Sequence, residues 1–343
     1  MTSGTTGTAV LLRAYREDDQ EAVLELLRAS LGTGPVGGRS PEFFRWKHLD
    51  NPFGRSFMLV AEVDDRIVGL RAFMRWRFRA QDRVLSAVRA VDTATHPDFQ
   101  GMGIFSRLTV AALDALRGDV DFVFNTPNEK SGPGYLKMGW TSVGRIPVWI
   151  HARRPLRFAK GAWSVRTNRG GDSATDILAV SARRAEEMLS DLDAIDELLR
   201  QTRSDDDRLV TDRSARYLRW RYGNAPHLDY RAVRQPAEGP LQGFAIFRVR
   251  PRGKLWEATV AEIVAPARDR RNVRTLLGYV GRAARTDFLT CRFPVGDPPG
   301  LRRGWFQAPQ GITFMVNGLR DDLVPDPADL RSWALGVGDL EIF

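Results

Sequence analysis

The sequence predicts an α/β (α+β) protein built from two copies of one unit, on three grounds. Short apolar runs alternate with stretches whose apolar residues recur at helical spacing. The 343 residues, 43% of them hydrophobic, suffice for two domains of ordinary size. Above all, one pattern occurs twice. Phe43-Phe44-Arg45-Trp46-Lys47, followed by Pro52, overlies Tyr217-Leu218-Arg219-Trp220-Arg221, followed by Pro226, at a constant offset of 174. Ile67-Val68-Gly69-Leu70 overlies Leu241-Gln242-Gly243-Phe244 at the same offset, and Val91 through Pro97 overlies Val260 through Pro266 at an offset of 169. Asp121-Phe122 then meets Asp287-Phe288, and Gly139-Trp140 meets Gly304-Trp305. An ordered series with small drifts is what duplication followed by loop insertion and deletion produces.

In the first copy, residues 10–13 read as a strand. Residues 18–31, with Val23, Leu24, Leu26, Leu27 and Leu31 on one face, read as a helix ending before a glycine-rich loop. A short helix follows over 41–49. Residues 57–63 and 67–77 form strands joined by a turn at Asp64-Asp65, and 84–95 forms another strand. Residues 103–116 make a helix, 122–125 a short buried strand, 131–138 a helical turn or two, and 140–151 a closing strand pair. Residues 153–178, rich in Arg, Gly, Ser and Thr, read as a connector, which divides the chain into 1–152, a linker 153–178, and 179–343. The second copy opens with helices near 192–202 and 214–222.

Composition excludes several classes of function. The single Cys291 rules out an internal disulfide framework and a cysteine zinc site, and the four histidines lack metal-ligand spacing, so no metal is expected. No apolar run is long enough to cross a bilayer and no export signal is apparent, so a cytoplasmic protein without membrane association is expected. The formal charge is +9, yet only five of the 51 basic residues are lysine and the arginines are spread along the chain. That spread favours a compositional origin or a small anionic ligand over nucleic acid.

The segment AVDTATHPDFQGMGIFSRL carries the most chemical information. A strand ends at Thr95, a tight loop runs through Gln100-Gly101-Met102-Gly103, and an apolar-periodic helix follows. The first amides of a helix have no intrahelical acceptor and carry partial positive charge, and glycine lets backbone approach a ligand closely. Such a turn is a cradle for a diphosphate or an ordinary strand-to-helix connection; Rossmann and Gly-Lys-Ser/Thr spacings are both absent.

This loop resembles the acyl-CoA loop of the GNAT superfamily, Gln/Arg-x-x-Gly-x-Gly/Ala, and departs from it at Phe105, where the family has a small residue. A second block, Asn128-Glu129-Lys130-Ser131 with Tyr135-Leu136-Lys137-Met138-Gly139-Trp140, is similar to the superfamily's Asn-x-x-Ala-x-x-x-Tyr-x-x-x-Gly-Phe block. The resemblance covers about residues 10–150 and implies a mixed, mostly antiparallel sheet flanked by helices in each copy. It also implies a site. The acyl-CoA diphosphate would lie on Gln100, Gly101, Met102, Gly103, Ile104 and Phe105. Asn128 and Ser131 would flank the pantetheine arm, backbone at Thr93, Ala94 and Thr95 would meet the acyl carbonyl, and Tyr135 would protonate the departing thiolate. Asp92 is open to three readings: a base for the amine, a ligand for its ammonium, or a bond to neighbouring chain. His96 is the next candidate base, though a histidine before proline also reads as a turn residue. Trp46, Trp76, Phe78 and Trp140 either line an acceptor cleft or fill the core.

In the second copy Asp269-Arg270-Arg271-Asn272 replaces the glycine loop, and Gly300 or Leu301 stands opposite Tyr135. The resemblance therefore implies one acyl-CoA site per chain. The second copy's role is left among covering a sheet edge, closing the acceptor cleft and forming a homodimer surface. The expected activity is transfer of an acyl group, acetyl first, from acyl-CoA as co-substrate to an amine on a small molecule or peptide. A Fem-like transferase using aminoacyl-tRNA and a non-catalytic acyl-CoA-binding protein are the alternatives.

Overall fold

The computed structural model describes residues 9–32, 39–129, 131–167, 180–203, 207–266, 269–293 and 303–340. The first half runs β1 (Leu11–Ala14), α1 (Gln20–Leu31), α2 (Pro41–His48), β2 (Phe57–Val63), β3 (Arg66–Ala80), β4 (Arg83–Thr95), α3 (Ile104–Leu116), β5 (Phe122–Asn125), α4 (Gly132–Lys137), β6 (Thr141–Ile146) and β7 (Trp149–Ala152). The expected connector instead begins with a helix, α5 (Pro155–Thr167). There follow β8 (Arg183–Arg184), α6 (Ala185–Met188), α7 (Leu192–Thr202), β9 (Val210–Thr211), α8 (Ala215–Leu218), β10 (Tyr230–Gln235), β11 (Gly243–Arg252), β12 (Leu255–Val264), α9 (Arg270–Ala284), β13 (Phe288–Cys291), β14 (Phe306–Gln307), β15 (Ile312–Gly318) and α10 (Val337–Leu340).

These strands form two mixed, mostly antiparallel sheets flanked by helices, as expected, but the sheets do not follow the division of the sequence. One has the order β1-β2-β3-β4-β5-β15-β6, the other β14-β7-β13-β12-β11-β10-β8. Each half thus hands one strand to the other: β15 lies between β5 and β6, while β7 pairs with β13. The expected strand pair over 140–151 does not close, and its connection explains why. Only Pro147-Val148 separates β6 from β7. A two-residue hairpin wants positive φ at its centre; proline fixes φ near −65° and valine resists positive φ, so the chain runs on into the second sheet.

The halves are fused across a local two-fold. Trp46 Nε1 donates to the Trp220 carbonyl at 2.7 Å, and Trp220 Nε1 returns the bond to the Trp46 carbonyl at 2.8 Å. The two indoles stack at 5.2 Å. A single apolar cluster runs from Val23 and Phe43 through Trp76 and Phe124 to Tyr217, Phe244 and Trp333. Trp46, Trp76, Phe78 and Trp140 are all buried in cores, and of the four Trp46 also borders a surface hollow, beside Trp220.

Both copies seat their long helix on a strand glycine. A Cβ on Gly69 would lie 2.7 Å from Ile104 Cγ2, and one on Gly243 would lie 3.0 Å from Asn272 Oδ1. The first contact fixes where α3 begins. No described helix is long and apolar enough to cross a membrane.

Because β15 fills the gap between β5 and β6, residues 1–152 alone should not fold. Expressed as a fragment, they are expected to give no cooperative thermal transition by circular dichroism. A fragment melting cooperatively would show that the exchanged strand is dispensable.

Candidate functional site

The site begins where two strands part. β4 and β5 pair in parallel only over Ala87–Arg89 with Phe122–Phe124; β4 then continues to Thr95 without β5 beside it. Between the diverging ends opens a cleft of about 860 Å³, floored by residues 90–95 and bounded by the 99–105 turn, residues 125–128, and Ser131, Gly134 and Tyr135. The site residues expected from sequence line it, except Met102, whose side chain is turned to solvent, and His96, which faces a separate hollow beside Arg66.

At the turn, Gly101 and Gly103 have φ of +82° and +71°, and nothing lies within 4 Å of a Cβ built on either. Glycine is required there by backbone conformation and not by crowding. Gly103 is the N-cap of α3 and no side chain caps that helix, so its first amides face the cleft mouth. Gln100 folds back, its Nε2 donating to the Thr95 carbonyl at 3.4 Å. Phe105, the departure from the GNAT pattern, packs edge-on against Tyr135 at 5.6 Å, and Gly134 makes room for it, since a Cβ there would lie 3.2 Å from its ring. Asn128 Oδ1 accepts from the Ser131 amide at 2.9 Å and from the Ser131 hydroxyl at 3.1 Å, so this pair shapes the loop before α4.

The β4 edge is bulged. Leu70 pairs with Ala94 and Ala72 with Val91, so Asp92 and Thr93 together face Arg71, and Asp92 takes a φ of +38°. Asp92 is buried against two cations, Lys47 Nζ at 2.7 Å and Arg39 Nη1 at 3.3 Å, with His48 Nε2 2.9 Å away. Burial pushes its carboxyl up, but Lys47, the His48 bond and Arg39 outweigh burial and hold it far below the usual carboxylate range. Burial likewise lowers His48, which as the neutral ring donates from Nε2 to Asp92 and accepts from Ser56 Oγ at Nδ1, 2.9 Å away. A carboxylate this acidic and this fully paired is a poor proton acceptor, so Asp92 is better placed as the anchor of the bulge than as the base. His96 is a turn residue, bonded to Arg66 at 2.7 Å and to the Asp98 amide at 3.3 Å.

Tyr135 is almost wholly buried, with its hydroxyl 2.8 Å from Arg71 Nη1. Arg39, Lys47, His48 and Arg71 were not picked out by sequence reasoning. Three of them sit in or beside the repeated block at 43–47, and the counterparts of two, Arg213 and Tyr222, meet a carboxylate of the second half, Glu262: Arg213 bonds it at 3.1 Å and the Tyr222 hydroxyl at 3.3 Å. That recurrence was the available signal.

The second copy differs where a ligand would bind. Asp269 Oδ1 accepts from the Asn272 amide at 3.0 Å, capping α9 with the chain's own carboxylate. Its bulge at Ala261 is covered by the start of α10 and the residue before it: Cβ atoms on Gly336 and Gly338 would lie 3.2 and 2.9 Å from the Ala261 carbonyl. Arg221 donates to the Gly338 carbonyl at 2.8 Å, and about 250 Å³ remains open. The counterparts of Tyr135, Gly300 and Leu301, lie outside the described residues. Among the described residues no cluster of His, Cys, Asp or Glu is placed to hold a metal.

Comparison with known proteins finds a family match within the first half of the chain. Residues 12–143 match the model of the acetyltransferase (GNAT) domain. None of the curated proteins searched matches the sequence. Among solved structures, a GCN5-related N-acetyltransferase from Anabaena variabilis aligns with a TM-score of 0.64 at 12% identity, covering 91% of this chain and 73% of that one. One from Kribbella flavida aligns at 0.58 and 16%, covering 92% and 72%. Eis1 from Mycobacterium abscessus aligns at 0.57 and 13%, covering 91% and 74%. At these identities the likeness is one of fold, and it extends over both halves.

Replacing Asp92 with Asn should leave Lys47 and Arg39 buried against a neutral partner and cost about 3 kcal/mol or more in a denaturation experiment at pH 7. Because the folded Asp92 carboxyl is depressed, its stabilisation is present above the unfolded value of about 3.9 and is lost as pH falls toward the folded one. The gap between wild type and Asp92→Asn should therefore narrow below about pH 4. Equal stabilities at pH 7 would mean that the carboxylate is not an anchor.

Proposed function

We propose that this chain, whose residues 12–143 match the acetyltransferase (GNAT) domain, moves an acyl group from acyl-CoA to an amine by direct attack within one ternary complex. The observation that carries the proposal is the convergence on one cleft of an uncapped helix start, a bulged strand edge and the Tyr135 hydroxyl. The amides at 103–105 would hold the diphosphate. The thioester would run along the open edge of β4, with backbone at Thr93, Ala94 and Thr95 facing its carbonyl oxygen, where negative charge develops. The neutral amine forms its bond to the carbonyl carbon, the C–S pair passes to sulfur, and Tyr135 supplies the proton that sulfur takes. Holding both reactants in this geometry turns a bimolecular step into an effectively unimolecular one.

One acyl-CoA site per chain follows from the contrast between the halves, since an Asp269 cap and a covered bulge leave the second copy no cradle for a diphosphate. The second copy's contribution is β15 and the buried seam that holds the first sheet together. The acceptor is a small molecule or peptide bearing a primary amine.

Gly103→Asp tests the site. Aspartate tolerates left-handed backbone and no atom crowds that position, so the variant should fold. Its charge should weaken acetyl-CoA binding about 100-fold or more by calorimetry. Tyr135→Phe should keep the affinity and lose turnover by about 100-fold or more. Unchanged affinity in Gly103→Asp, or tight tRNA binding with none for acetyl-CoA, would overturn the assignment.

A further inference from the structure

Beneath the cleft floor lies a charge without a counter-charge. Arg71, in the middle of β3, is 0% exposed. Its Nη1 donates to the Tyr135 hydroxyl oxygen at 2.8 Å and to Thr93 Oγ1, while Nε and Nη2 have no partner. No carboxylate among the described residues pairs with it. Its guanidinium lies 4.3 Å from the Phe73 ring centroid and 5.4 Å from that of Tyr135. Burying a cation among aromatic rings with no anion beside it is among the costlier arrangements open to a core, and cation–π contact recovers only part of the loss. The strand around it is apolar (Leu70, Ala72, Phe73), so packing alone would be served better by methionine or leucine.

Negative charge does arise at this point, but only during the reaction described under Proposed function, on which this inference rests. We propose that Arg71 is a positioning residue for acyl transfer and acts through Tyr135. By donating to the phenol oxygen it leaves the hydroxyl's own hydrogen to point into the cleft. Its charge then stabilises the tyrosinate left once that hydrogen has gone to sulfur. The proton shed by the attacking nitrogen returns through water to the Tyr135 oxygen, so that the step balances and Arg71 stays protonated throughout. The same Nη1 also bonds Thr93 Oγ1, which holds the guanidinium in place beneath the phenol.

A double-mutant cycle between Arg71→Met and Tyr135→Phe separates this role from a structural one. Thiol release from acetyl-CoA would be followed with the fastest acceptor of a primary-amine panel, alongside calorimetry and thermal melts. Arg71→Met is expected to bind acetyl-CoA within about 2-fold of wild type, to melt at the same or a higher temperature, and to lose about 100-fold in kcat. In a Tyr135→Phe background the same substitution should cost no more than about 2-fold. If Arg71→Met does not fold, the cycle is run with Arg71→Lys, expected to cost about 10-fold with Tyr135 present and nothing with it absent. Losses that multiply, or full turnover in either Arg71 variant while Tyr135→Phe is defective, would overturn the inference and leave the acyltransferase assignment standing. If Tyr135→Phe itself keeps full turnover, the acid falls and the role of Arg71 with it.

Discussion

The separation of β4 from β5 after three residue pairs is the constraint on which the site depends. Ladder bonds satisfy the backbone of both strands up to Arg89 and Phe124; beyond that the β4 edge has no protein strand to pair with. An open edge inside a sheet is costly unless something takes its place. The bulge at Asp92-Thr93 maintains the gap, because it turns the strand away from its neighbour. The bulge is held by the ionised Asp92 against Lys47, His48 and Arg39. Gly69 completes the geometry by letting α3 press onto β3, which brings the start of that helix to the mouth of the opening.

The same parting of strands occurs in the second copy, where β12 and β13 also pair over only three residues, Glu257–Thr259 with Phe288–Thr290. There the chain supplies its own substitute: Gly336 to Gly338 lie on the bulge, and Asp269 caps the helix. The two halves thus resolve the same problem of unpaired backbone in opposite ways, one by leaving it open and one by covering it. The strand exchange makes the halves inseparable. β15, beside β5, borders the strand whose last residue, Asn125, lines the cleft, and Arg89 donates to the carbonyls of Asp339 and Leu340, both at 2.6 Å, tying α10 to the same sheet.

Much of the fold was legible in the sequence because its determinants are local. The spacing of Val23, Leu24 and Leu27 marks α1, and the Asp64-Asp65 turn marks the β2–β3 hairpin, with both aspartates at positive φ. The glycine turn and Tyr135 could be read because short motifs encode them. The strand exchange could not, since it depends on what Pro147-Val148 prevents rather than on any pattern in β7 or β15. Asp92 stayed open among three readings for a related reason. A carboxylate's chemistry is set by its neighbours, and Lys47, His48 and Arg39 come from sequence positions more than forty residues away. Arg71 was hidden because it is one of five arginines in β3 and nothing in the sequence sets it apart until Tyr135 folds over it.

The most direct test of the whole account is a crystal structure of the full chain grown with CoA. One CoA per chain is expected, its diphosphate within hydrogen-bond distance of the amides at 103–105, its sulfur beside the Tyr135 hydroxyl, and none at the start of α9. A diphosphate bound at α9, or two CoA molecules per chain, would contradict it.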